Sequence, residues 1–179
     1  MEEILRKLCK ENVLTSIFMN NDDVSKFTVG YIEQVFEDGI IISVVDTGGR
    51  SDGYALLNMS LIYLLEYKNN YLKGIQDLLD YHKNPIIPLS FIHDEDESLI
   101  VNFLNFCMVN DLYISIKHLN GFEIFGLIYS VNEEILTLKT YDHNNNIEDG
   151  MTALSINDIE GVYVLNTEQK KVQLMQQNR

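Results

Sequence analysis

The chain has 179 residues, 46% of them hydrophobic, with 27 acidic against 13 basic side chains and a net charge of −14. That is enough apolar sequence for a packed core and enough length for one large domain or two small ones. Lys and Arg are too few and scattered to neutralise a phosphate backbone broadly, and no apolar run approaches the roughly 20 residues that span a bilayer.

Residues 2–13 place Ile4, Leu5, Leu8, Cys9 and Val13 at helical spacing, with Glu2 and Glu3 at the positive end of the helix dipole. Residues 14–19 turn towards a strand, and Asn20-Asn21-Asp22-Asp23 is a turn-forming cluster. Residues 27–36 alternate, with Phe27, Val29, Tyr31 and Gln34 on one face and Gly30 and Ile32 on the other. Glu37-Asp38-Gly39 predicts a hairpin turn, and the β-branched run 40–45 a strand buried on both sides. A loop over 46–53 leads to two short strands, 54–57 and 60–67. Helical period returns over 69–82, on Leu72, Ile75, Leu78 and Leu79. Pro85 and Pro88 bracket an extended linker within 84–93, which sets the expected domains at 1–83 and 94–179.

The second half opens with Asp94-Glu95-Asp96-Glu97-Ser98 and a helix to about Asn110, whose stripe is Leu99, Ile100, Phe103, Leu104, Cys107 and Met108. A strand over 112–117, a turn over 118–121, further strands over 122–164 and a last helix over 167–177 complete it. Much of this second half repeats the first. Gly30 aligns with Gly126, Ile32 with Ile128, Val35 with Val131 and Glu37 with Glu133. After a one-residue slip Ile40 meets Ile135, Asp52-Gly53 meets Asp149-Gly150, and Leu57, Ile62 and Leu65 meet Leu154, Ile159 and Val162. A repeat of this length predicts a duplicated structural unit. The fold class expected is mainly β with helices (α+β). It comprises two tandem five-stranded bent-sheet barrels, each with an N-terminal and a C-terminal helix.

A helix followed by five short strands, with Gly30 or Gly126 in the second strand and Glu37 or Glu133 at the turn before an apolar third, resembles the Sm-like superfamily, the Sm, LSm and Hfq-type proteins. The resemblance implies small barrels that associate by pairing exposed edges, and in the family it implies RNA binding. The Asn of the first family motif and the basic residue and Gly of the second are absent from both copies, so the RNA-contacting residues do not carry over.

Individual motifs point weakly to chemistry. Val44-Val45-Asp46-Thr47-Gly48 is similar to the turn of aspartic proteases, which need two such carboxylates. No second Asp-Thr-Gly exists, and Asp with Gly is also ordinary loop sequence. His93 with Asp94–Glu97 reads as a solvated helix start, and Asp142, His143 and Asn144–Asn146 as a polar hairpin loop. His82 and His118 have no partner pattern, and Cys9 and Cys107 read as small buried hydrophobes. No phosphate loop, dinucleotide fingerprint or zinc spacing occurs. The expectation is therefore a non-enzymatic module with no cofactor and no metal. Its partner is another protein or a second copy, and Tyr63, Tyr67, Tyr71, Tyr81, Lys68 and Lys73 are its interaction candidates. RNA binding, tested by whether Lys68, Lys73, Lys139 and Lys170 converge, is the alternative, and a hydrolase centred on Asp46 the third. The charged N-terminus MEEILRKLCKEN lacks an apolar signal core, which predicts a cytoplasmic location without membrane partners.

Overall fold

The computed structural model describes residues 1–19, 25–83, 86, 88–142 and 147–177, and divides into two compact units, Met1–Leu89 and Ser90–Arg179. The Asn20–Asp23 turn, Asn84 and Pro85 of the linker, and His143 with Asn144–Asn146 lie outside the described residues. No helix among those described is long and apolar enough to cross a membrane.

In the first unit, α1 (Glu2–Glu11) leads into β1 (Thr15–Phe18), β2 (Thr28–Val35), β3 (Gly39–Val45), β4 (Ser51–Asn58), β5 (Leu64–Tyr67) and α2 (Asn70–His82). α1 forms because Leu5 and Leu8 bury one face while Glu2 and Glu3 open the helix and Lys10 closes it. Asn12 ends it in the left-handed conformation, at φ 49°, where its short polar side chain is tolerated. β3 is buried along nearly all its length, as its β-branched run demands. The core packs Leu14, Val29, Tyr31 and Val45 against Leu72, Ile75 and Leu79 of α2. The second unit runs α3 (Leu99–Val109), β6 (Ile114–His118), β7 (Glu123–Val131), β8 (Ile135–Tyr141), β9 (Glu148–Ser155), β10 (Ile159–Val164) and α4 (Thr167–Gln177). Phe91, from the stretch read as linker, is buried there against Phe103 and Phe106. Tyr113 stacks on Phe125 at 5.5 Å and meets Tyr141 edge-on, with Val172 of α4 beside them.

The mainly β architecture with helices stands, but the expected closed barrels do not. Within each unit the strands are antiparallel and form an open row, ordered β5-β1-β2-β3-β4 in the first unit and β10-β6-β7-β8-β9 in the second. No ladder joins β4 to β5 or β9 to β10 among the described residues, so neither set closes on itself. In the first unit β5 is only four residues long and spends them on β1, and α2 covers the apolar face that closure would otherwise bury.

Two local expectations also change. Residues 60–67 are not one strand: Met59–Leu61 form a 3-10 turn, because Asn58 Oδ1 accepts from Ser60 N–H at 3.0 Å and turns the chain before β5. The one-residue slip is misplaced. Val35 pairs with Ile40 and Val131 with Leu136, so Leu136, fully buried, is the counterpart of Ile40, whereas Ile135 is 43% exposed. The offset changes only in the loop after the third strand, since Ser43 faces Tyr54 and Lys139 faces Met151.

Gly30 and Gly126 occupy matching places in β2 and β7. A Cβ on Gly30 would strike the Ser43 carbonyl oxygen, and one on Gly126 that of Lys139, both rigid backbone. Gly30→Ala and Gly126→Ala should each cost about 2 kcal/mol or more, read by urea unfolding, because the strands must separate to admit the methyl. Burial first, then Tyr141, pushes the Tyr113 phenol up to about 12 from its ordinary value of 10.0. The unfolded chain ionises there first, so this contribution is whole below pH 10 and is lost as pH rises towards 12. Tyr113→Phe should flatten the alkaline fall in melting temperature over that range.

Candidate interaction surface

The edge strand of the first unit exposes apolar side chains. β5 pairs with β1 through Leu64–Phe18, Leu65–Ile17, Glu66–Ser16 and Tyr67–Thr15, and has no second partner strand among the described residues of the unit. Leu64 and Tyr67 are exposed on it. An uncovered edge presents unpaired backbone donors and acceptors to any extended segment that approaches.

Aromatic rings continue this edge onto the adjoining surface. Phe18 stacks on Phe27 at 4.9 Å, Phe27 meets Tyr71 edge-on at 5.8 Å, and Tyr63 meets Phe18 edge-on at 6.4 Å. Two of the four sequence-chosen tyrosines, Tyr63 and Tyr71, are thus joined, but through Phe18 and Phe27, which the sequence reading did not single out. Phe27 carried a faint signal, standing as an aromatic at the very start of an alternating strand. Tyr67 lies on β5 itself. Tyr81 is elsewhere: it is 79% exposed in the last turn of α2, about 15 Å of helix from Tyr71, and its ring meets that of His82 edge-on.

Lys68 and Lys73 line one groove. The chain leaves β5 through Lys68 in the left-handed conformation, at φ 59°, and Asn69 then caps α2 by accepting from Leu72 N–H at 2.8 Å. A groove of about 380 Å³ opens there, lined by both lysines with Asn12, Leu14, Asn70 and Gln76. Glu11 stands 3.7 Å from the Lys68 ammonium and competes for it. Lys139, in the second unit, pairs with Glu148 at 2.7 Å.

The remaining motif residues serve their own loops. Asp46 Oδ1 accepts from Arg50 N–H at 2.8 Å and its carbonyl from Gly49 N–H at 3.0 Å, which fixes the turn between β3 and β4. Asp94 Oδ1 accepts from Asp96 N–H, and Glu97 Oε2 from the Asn102 amide at the start of α3. His118 stacks on Phe122, its Nδ1 accepting from Asn120 N–H. Both cysteines are free thiols; Cys107 is buried, and burial pushes its thiol well above the usual range. No group of three or more His, Cys, Asp or Glu able to hold a metal occurs among the described residues.

No protein-family model matches this chain, and no curated protein matches it. Among solved structures, the apo state of K. pneumonia MrkH aligns over 99% of this chain and 91% of its own, at 12% identity and a TM-score of 0.17. A second K. pneumonia MrkH crystal aligns over 98% and 89%, at 13% identity and a TM-score of 0.16. Scores this low carry no argument.

The Tyr63 hydroxyl is buried without a hydrogen-bond partner among the described residues. Tyr63→Phe should therefore be neutral or stabilise by up to about 1 kcal/mol, whereas Asn69→Ala should cost about 1 kcal/mol through the lost cap; thermal unfolding of the pair separates the two effects.

Proposed function

We propose that this protein is a non-enzymatic assembly module that joins to a second copy of itself through sheet edges. The observation that carries the reading is β5, an edge strand exposing Leu64 and Tyr67 beside the Phe18–Phe27–Tyr71 rings. Its complement is β9, which ends the strand order of the second unit and exposes Met151, with Ile147 just before it. Antiparallel addition of β9 to β5 would satisfy both rows of backbone groups and cover both apolar strips. Charge agrees, with Lys68 following β5 and Glu148 and Asp149 opening β9. The resemblance to the Sm-like superfamily supports this reading through the element order and the paired glycines, and it does so without closed barrels. The net charge of −14 favours a protein contact over a nucleic-acid one.

RNA binding has one observation in its favour, the convergence of Lys68 and Lys73 on a groove at the start of α2. Its signature would be oligonucleotide affinity that falls steeply with salt and weakens in Lys68→Ala/Lys73→Ala.

Native mass spectrometry, with nucleic-acid absorbance recorded on the same sample, tests both. The expected result is a multiple of the chain mass, free of nucleic acid, that falls to one chain in Leu64→Lys/Tyr67→Lys. A single-chain mass for the unmodified protein at every concentration would end the self-assembly reading.

A further inference from the structure

A second cavity of the first unit holds chemistry that the β5 edge does not use. A cleft of about 540 Å³ opens beside β2 and α2, and its polar wall is Tyr31, Glu33, Gln76 and Asp80. Glu33 stands two residues after Tyr31 on β2, at a backbone irregularity. Ile32 pairs with Ile42 and Gln34 with Ile41, so Glu33 is the extra residue of a β-bulge.

Both carboxylates are held in place. Ser43, fully buried on β3, donates its hydroxyl to Glu33 Oε1 at 2.7 Å. The Tyr31 hydroxyl donates to Gln76 Oε1 at 2.5 Å, which orients the amide so that its nitrogen donates to Asp80 Oδ1 at 3.0 Å. Each chain of donors ends on an acid of the cleft. The surrounding groups register the resulting field: after burial, Glu33 raises the Cys9 thiol and the Tyr54 phenol, and Asp80 adds to the upward shift of Tyr31. The lining also carries apolar side chains, those of Leu79, Ile86 and Pro88. Lys83, left-handed at the end of α2, is the cation in the lining, set against two carboxylates.

Fixed carboxylates and apolar side chains in one cleft fit a cation carried on an apolar stem. We propose that this cleft receives the side chain of an arginine from a protein partner, its guanidinium on Glu33 and Asp80 and its methylenes on Leu79, Ile86 and Pro88. A guanidinium offers five donors in one plane and sheds water more readily than an ammonium, and its stem packs on apolar surface while the head stays polar. This site is independent of self-assembly through β5.

The test is titration of the full chain, followed by amide NMR shifts, with N-acetyl-arginine methylamide, its neutral isostere N-acetyl-citrulline methylamide, and putrescine. The arginine derivative should shift the amides of Glu33, Gln76 and Asp80 saturably, and the citrulline derivative should not. Glu33→Gln/Asp80→Asn should weaken binding about tenfold or more, while Lys83→Met should strengthen it by removing the competing cation. Leu64→Lys/Tyr67→Lys should bind as the unmodified protein does, so failure of the β5 reading would show separately. Absence of saturable shifts, equal binding by citrulline, or full affinity in the double variant would overturn the proposal. Putrescine binding as tightly as the arginine derivative would reassign the cleft to a free amine and overturn it equally.

Discussion

Two backbone strands in each unit pass so closely that one of them has no room for a side chain. At Gly30 and Gly126 a single added carbon would meet a carbonyl oxygen of the facing strand. Pairing on either side of these points sets the register of β2 on β3 and of β7 on β8, and through it the burial of Ile40, Ile42, Leu136 and Leu138. Moving a strand by one residue would turn those side chains to the other face, so the core rests on the missing carbon.

The same backbone device then serves different surfaces. Both units carry a bulge immediately after Ile32 or Ile128, and the extra residue is Glu33 in one and Tyr129 in the other. Glu33 is tied by Ser43 and lines a cleft, whereas Tyr129 is 70% exposed. The facing residues differ in step, since Lys139 stands where the first unit has Ser43. A shared fold has thus been furnished with an acid anchored to a buried hydroxyl on one side and an open aromatic on the other.

Much of the fold was legible because hydrophobic period reports burial directly. The helix at 167–177 and the buried run from Ile40 follow from pattern alone. Closure of the sheets was not legible, because whether two edges meet depends on strand length and on what covers the apolar face. The four-residue β5 and the packing of α2 decided it. The candidate surface was half legible. Tyr63 and Tyr71 carry no mark of the Phe18 and Phe27 rings that join them, since the contact runs between distant segments. Glu33 was invisible for a related reason: its hydroxyl partner Ser43 comes from the facing strand and the other acid of its cleft from α2, so nothing local in the sequence marks it.

The buried thiol of Cys107 has a use as a clock. A sulfur sealed in the second unit and held protonated by burial is inert to alkylating reagents while that unit is folded. Half-buried Cys9 sits in the first unit, its thiol directed at the Glu33 carbonyl oxygen at 3.5 Å. With one cysteine in each unit, the rates at which the two are labelled report the opening of each half separately, without any introduced probe.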